Sequence, residues 1–261
     1  MADYVLVHGG NMTTETWNRL SRGTPVHTPD GRMGGKIWDP VIPVLERYSH
    51  RVFAHTLLDE YTSTLTGHIE QVCRIITSHD LRDVILAGHS YGGMVITGAA
   101  AGMPDRIRHL VYIDAALPDP GQSLFDIIVS SGWDPLSFVG LEPAPPYVEK
   151  LQFDVRTLQR LDKTYVLCTK SEFSAVTKVA RTKIAVAKDG WTYRETPTSH
   201  VPMAEMPDDV AQILLDVAEK KNQLLHDNLT LHGWVNRAVI GIRSRLGERE
   251  GIYCTGCERI R

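Results

Sequence analysis

Gly88-His89-Ser90-Tyr91-Gly92 has the pattern G-x-S-x-G, and its flanks suit the chemistry that pattern serves. An apolar run, Val84-Ile85-Leu86-Ala87, leads into it, and a stretch of small apolar residues from Met94 to Ala101 follows it. A serine at a sharp strand-to-helix turn has its Oγ pushed clear of the backbone, and flanking glycines let the neighbouring chain pass close by. The helix behind it directs N–H groups at the same point, which favours developing negative charge. Ser90 is therefore the expected nucleophile. A serine hydroxyl attacks well only when a base accepts its proton, so a histidine must come from later in the chain. His200 is the expected base, in the loop Pro197-Thr198-Ser199-His200-Val201-Pro202-Met203 between the last strand pattern and the last helix. His8 and His89 stand beside the motifs and read as local hydrogen-bonding groups.

Acyl transfer passes through a tetrahedral oxyanion that needs two donors, commonly the N–H after the nucleophile and one from the turn after the first core strand. His8-Gly9-Gly10 follows such a strand, so the Tyr91 and Gly10 N–H groups are the expected oxyanion hole, each donor being worth about 3 kcal/mol of barrier. No metal or cofactor is called for. Glu46, Asp59 and Glu60 form no recognisable ligand set and read as surface charges. Cys73 and Cys168 fall in helix and strand patterns and read as buried reduced thiols. Cys254 and Cys257 form a CxxC without a second pair, which favours incidental thiols over a zinc site.

These residues require a scaffold of alternating strands and helices. Tyr4–Val7, Arg51–Ala54, Asp83–Gly88, His109–Asp114, Thr164–Thr169 and Trp191–Arg194 read as strands. Between them, Pro40–Tyr48 reads as a helix with Asp39 as N-cap and Pro40 at its first position. Leu65, Ile69, Val72 and Ile76 mark a second helix, and Pro207 to about Lys220 a last one. The alternation predicts an α/β fold with a mostly parallel sheet and helices on both faces. Asn11–Lys36 is far longer than a usual strand-to-helix connection and reads as a functional loop. Residues from about 117 to 162 break the alternation with six prolines, as a short cap inserted over the sheet's carboxyl edge would. The expected division is a catalytic domain over residues 1–220 and an extension over 221–261.

With 261 residues, 43% hydrophobic content and a formal net charge of −3, the chain reads as a globular protein acting on a small molecule. It lacks the basic excess that would hold nucleic acid. No run reaches the roughly 18 apolar residues of a membrane span, and the start lacks a secretory pattern, so a cytoplasmic protein is expected.

Taken together, Val7-His8-Gly9-Gly10, Trp38-Asp39-Pro40-Val41-Ile42-Pro43, Gly88-His89-Ser90-Tyr91-Gly92-Gly93, Leu110-Val111-Tyr112-Ile113-Asp114-Ala115, and His200 with Met203 and Pro207 carry a resemblance. The chain resembles the α/β-hydrolase superfamily, in particular small esterases related to plant methylesterases and hydroxynitrile lyases. The resemblance implies the α/β-hydrolase fold, a helical cap and a cofactor-free hydrolase. The cyanohydrin-cleaving branch places threonine after the first histidine and lysine after the catalytic one; Gly9-Gly10 and Val201 stand there instead, which favours ester hydrolysis. Relatives carry an aspartate just past the strand equivalent to Tyr165–Thr169, where this chain reads Lys170-Ser171-Glu172. Glu172, the nearest carboxylate, is the expected partner of His200, with Asp114 as the alternative acid.

The expected reaction is hydrolysis of a carboxylic ester, lactone or thioester through an acyl-enzyme on Ser90. A lyase or cofactor-free oxygenase using the same pair for proton transfer, or a ligand-binding protein, is the alternative on this scaffold. Phe125, Trp133, Phe138 and Tyr147 could shape an apolar pocket or fill the core. Past residue 220, Leu231, Val235, Val239, Ile242 and Leu246 recur at helical spacing among arginines. Such a helix could dock on its own domain, on a second copy as a homodimer, or on a membrane surface, in that order of preference.

Overall fold

A computed structural model describes residues 1–10, 12–137, 141–187 and 190–219. The tail helix, the Cys254/Cys257 pair and Phe138 lie outside the described residues. In chain order the elements are β1 (Asp3–Val7), α1 (Thr14–Leu20), α2 (Ile42–Arg47), β2 (Arg51–Phe53), α3 (Leu65–Ser78), β3 (Val84–His89) and α4 (Gly92–Gly102). There follow β4 (Ile107–Ile113), α5 (Leu124–Ser130), α6 (Pro145–Val148), α7 (Val155–Gln159), β5 (Asp162–Cys168), α8 (Ser174–Val186), β6 (Trp191–Thr196) and α9 (Pro202–Glu205). A last helix, α10, covers 207–219.

The strands form one six-stranded sheet in the order β2-β1-β3-β4-β5-β6, with every pairing parallel. Apolar side chains on both faces of a strand demand cover on both sides. Accordingly Val5, Val7, Val84, Leu86, Leu110 and Tyr112 pack with α3, α4, α5 and α8 on one face, while Tyr4, Leu6, Ile85, Ala87, Val111 and Ile113 pack with α1, α2 and α10 on the other. The Tyr4 hydroxyl donates to the Leu214 carbonyl at 2.9 Å and so ties α10 to the first strand.

Two elements differ from expectation. The helix after Trp38 starts at Ile42 with Val41 as its N-cap and Pro43 in its first turn, because Gly34–Trp38 forms a 3-10 turn that ends on Asp39. The Asn11–Lys36 stretch is not all loop: Thr13 caps α1, whose Trp17 is buried against the sheet. Between β4 and β5, where the sequence alternation fails, the chain carries α5, α6 and α7. Ser123 and Asp126 form a reciprocal capping box that starts α5.

Candidate active site

β3 runs fully buried up to His89, and the backbone then turns left-handed at Ser90, with φ at 55°. A non-glycine residue there is strained and must be held by its surroundings. Three backbone bonds do so: Ser90 N–H donates to Ile113 O at 3.3 Å, and Ser90 O accepts from Gly93 N–H at 3.1 Å and Ala116 N–H at 3.0 Å. Close approach is possible only beside glycine. A Cβ on Gly88 would lie 2.6 Å from the Gly92 carbonyl, and one on Gly9 would lie 2.6 Å from Ser90 Cβ. The Ser90 side chain is left partly exposed above α4, whose first turn presents its N–H groups below it. Among the described residues Ser90 Oγ makes no hydrogen bond.

His200 comes to the same corner. His89 Nε2–H donates to the His200 carbonyl at 2.7 Å, and the two rings lie 4.6 Å apart. The Phe173 ring also packs on the His200 ring, with centroids 4.8 Å apart. Burial, followed by the neighbouring His200 charge, pushes the His89 pKa well below its usual value, so His89 is a neutral donor that anchors the loop. This agrees with the local role expected for it.

The carboxylate against the His200 ring belongs to Asp114, not Glu172. Asp114 is fully buried, sits just past β4 at φ 44°, and accepts from His200 Nδ1–H at 2.7 Å. Its other oxygen accepts the Cys168 N–H at 3.0 Å. The Ser171 hydroxyl also donates to Asp114, and Ser171 Oγ lies 3.5 Å from His200 Nδ1. Glu172 is exposed, and its carboxylate meets the His200 backbone N–H at 3.4 Å instead of the ring. The cause is register. The turn after β5 places Ser171 beside the histidine and leaves Glu172 facing outward; Ser171 carries a neutral hydroxyl that cannot balance an imidazolium, and the left-handed corner just past β4 brings the Asp114 carboxylate to the ring.

On the opposite flank lies the His8-Gly9-Gly10 turn. His8 Nδ1–H donates to Gly9 O at 2.7 Å and Nε2 accepts the Leu57 N–H at 2.9 Å. Burial lowers the His8 pKa to about 4, which keeps the ring neutral in this bridging role. Among the described residues neither the Gly10 nor the Tyr91 N–H is engaged in a hydrogen bond. The Tyr91 hydroxyl donates to His68 Nδ1 at 3.0 Å, and His68 Nε2–H donates to the Leu58 carbonyl at 2.9 Å.

A cavity of about 480 Å³ opens beside these groups, lined by Gly9, Gly10 and Tyr91, by residues of the 28–36 and 56–60 stretches, and by Tyr147. The long segment after β1 thus does line a cavity. Of the aromatic residues considered for it, Tyr147 faces the cavity, Phe125 packs against the core and Trp133 is half exposed. Glu60, expected as a surface charge, is only 9% exposed and accepts a hydrogen bond from the Tyr147 hydroxyl. Its burial has no local sequence signal, because Tyr147 arrives from far along the chain. Among the described residues no group of histidine, cysteine or carboxylate side chains could hold a metal ion, and no helix is long and apolar enough to cross a membrane. Cys73 is half-buried and Cys168 buried, both as free thiols.

The stretch that carries the sheet, the serine corner and the histidine loop falls within a known family: the model of the alpha/beta hydrolase family matches residues 4–213. This chain belongs to that family. As an alpha/beta hydrolase it is 37% identical over 136 residues to a carbendazim hydrolyzing esterase of Nocardioides sp. (strain SG-4G), covering 49% of this chain and 48% of that protein. It is 34% identical over 104 residues to polyneuridine aldehyde esterase of Rauvolfia serpentina, covering 36% of this chain and 39% of that protein. Each match thus spans half or less of the relative's length. An extracellular alpha/beta-hydrolase from a Paenibacillus species has the same fold, with a TM-score of 0.62 at 20% identity over 83% of this chain and 99% of that one. The kinship implied by the sequence resemblance therefore holds, as does the fold.

Proposed function

We propose that this alpha/beta hydrolase cleaves a carboxylic ester of a small, partly apolar substrate through an acyl-enzyme, with Ser90 as nucleophile, His200 as base and Asp114 as the orienting acid. The single observation carrying this reading is the 2.7 Å bond from His200 Nδ1–H to buried Asp114, made beside the left-handed corner at Ser90. That bond fixes the tautomer so that Nε2 is free to accept a proton. The similarity to two relatives named esterases supports the same chemistry.

In the proposed cycle Ser90 Oγ attacks the ester carbonyl as its proton passes to His200 Nε2. The carbonyl π pair moves to oxygen, where the Gly10 and Tyr91 N–H groups receive the oxyanion. The tetrahedral intermediate collapses, the C–O bond to the alcohol breaks, and the alcohol leaves with the proton held by His200. Water then gives a proton to His200 and its oxygen attacks the acyl carbon, and Ser90 is released with that proton. Asp114 holds the imidazole in place and stabilises the imidazolium as it forms. The 117–162 segment, which contributes Tyr147, would act as the cap over this site.

A fluorophosphonate probe tests the reading. Wild-type protein should be labelled at Ser90 and should hydrolyse short methyl or nitrophenyl esters, and Ser90→Ala should lose both properties. Full turnover without Ser90 would overturn the proposal. Turnover that needs Ser90 but leaves no acyl or phosphonyl adduct would place the chain with proton-transfer enzymes of this fold.

A further inference from the structure

The cavity holds a group that the proposed reaction does not use. Glu60 stands at its wall, nine-tenths buried, and the Tyr147 hydroxyl occupies one of its oxygens. A carboxylate has about four acceptor positions. Among the described residues Glu60 has no salt bridge and no other hydrogen bond. The cations lining the same cavity are Arg32, engaged by Asp59 at 3.3 Å, and Lys36. The oxygen that Tyr147 leaves unbonded is not sealed off from the cavity that Glu60 lines, so it is open to a donor brought by a ligand, and a hydrogen bond to a charged acceptor is stronger than one between neutral groups.

Its location gives that ligand's geometry. A Cβ on Gly10 would lie 2.7 Å from the Tyr147 hydroxyl oxygen, so the Tyr147–Glu60 pair abuts the corner whose N–H is proposed to hold the substrate's carbonyl oxygen. Tyr147 is itself packed edge-on to Tyr91, with ring centroids 5.0 Å apart, and the Tyr91 hydroxyl is tied to His68. The pair is therefore positioned by two further side chains and cannot readily swing away. A substrate whose carbonyl oxygen rests on the Gly10 N–H would bring the atoms within a few bonds of that carbonyl next to Glu60.

We infer that Glu60, held by Tyr147, is a specificity-determining residue for esters carrying a hydrogen-bond-donating nitrogen, N–H or ammonium, near the carbonyl. This rests on the ester-hydrolase reading above. An apolar wall would accept such a substrate and its carbon isostere alike. A buried acceptor rewards the first and penalises the second, and sites of this kind discriminate strongly.

Matched pairs of methyl esters test it, each pair differing only by NH in place of CH2 at the first, second or third position from the carbonyl. For wild-type enzyme the NH/CH2 ratio of kcat/KM, divided by the same ratio for hydroxide-catalysed hydrolysis, should exceed one by about ten- to a hundred-fold in at least one pair, the range of a hydrogen bond to a charged group. Glu60→Gln should bring that ratio back by about the same factor, whereas a purely structural Glu60–Tyr147 pin would lower both esters together. A normalised wild-type ratio near one in all three pairs overturns the inference, and so does a ratio that Glu60→Gln leaves unchanged. If Glu60→Gln does not fold by its thermal transition, the wild-type ratio alone decides. Labelling of wild-type Ser90 by fluorophosphonate is measured alongside, so that failure of the hydrolase reading is distinguished from failure of this one.

Discussion

Replacing Asp114 by asparagine should reduce kcat by about 10³- to 10⁴-fold, or about 4 to 5.5 kcal/mol of barrier. The magnitude follows from the donors around the carboxylate. Asp114 accepts the Cys168 N–H on Oδ1 at 3.0 Å, and the His200 Nδ1–H on Oδ2 at 2.7 Å together with the Ser171 hydroxyl. An asparagine must turn its NH2 toward one side. The Cys168 amide can only donate, so an NH2 facing it would leave two buried donors opposed. Toward Oδ2 the conflict is resolvable: Ser171 can rotate to accept, and the imidazole can move its proton to Nε2. That resolution makes His200 a donor at the atom that must be the base, and the corresponding change in serine proteases costs about 10⁴. The assay is steady-state hydrolysis of a nitrophenyl ester by wild type, Asp114→Asn and Glu172→Gln, with the thermal transition recorded for each. Glu172→Gln should stay within about tenfold of wild type, since its side chain meets only the His200 backbone N–H at 3.4 Å. The reverse pattern, with Asp114→Asn near wild type and Glu172→Gln reduced a thousandfold, would refute the assignment.

Ser171→Asp placed in the Asp114→Asn background should recover at least tenfold of the lost kcat in the same assay, because position 171 already reaches within 3.5 Å of His200 Nδ1. Gly9→Ala should lower kcat by about 100-fold or more, since its methyl would press on Ser90 Cβ at 2.6 Å and a shift of about 1 Å at the reacting centre costs that much; a variant with full activity would refute the close-packed corner. Stability should fall on acidification before most carboxylates titrate. The His8 pKa is lowered from 6.5 to about 4, so the unfolded chain binds the proton first, and stability is lost as pH falls from about 6.5 toward 4. The loss attributable to His8 is about 3 kcal/mol, and His68 and His89, also lowered by burial, act in the same direction. Urea unfolding at pH 7 and pH 4.5 measures this, and His8→Gln should flatten the slope between them.

The strands and the serine corner were legible because each rests on local pattern. Apolar runs such as Val84–Ala87 mark buried strands whatever their partners, and a serine between glycines at a strand end needs a left-handed turn. His200 was legible by its place in chain order. The acid was not, because a carboxylate's reach depends on where two strands end relative to one another. Glu172 is nearer to the end of β5 in sequence, yet Asp114, just past β4, is nearer to the His200 ring in space. Glu60 was misread for a similar reason: its partner Tyr147 is brought by α6 from 87 positions away. Helix α8 escaped notice because Phe173 gives it no polar cap and lysines and threonines dilute its apolar face. The start of α2 was misplaced because Asp39-Pro40 looks like a cap and instead closes the preceding 3-10 turn.

The serine and the aspartate occupy the ends of adjacent strands, β3 and β4, stitched to each other by the Ser90 N–H on Ile113 and the Ala116 N–H on Ser90. Alcohol and acid are thus parts of one stiff block, and the imidazole alone rides on a connecting segment. The alignment of the three groups consequently depends on the bonds that pin residues 197–201 to that block, His89 Nε2–H on the His200 carbonyl and Lys170 N–H on the Thr198 carbonyl, more than on the strands themselves.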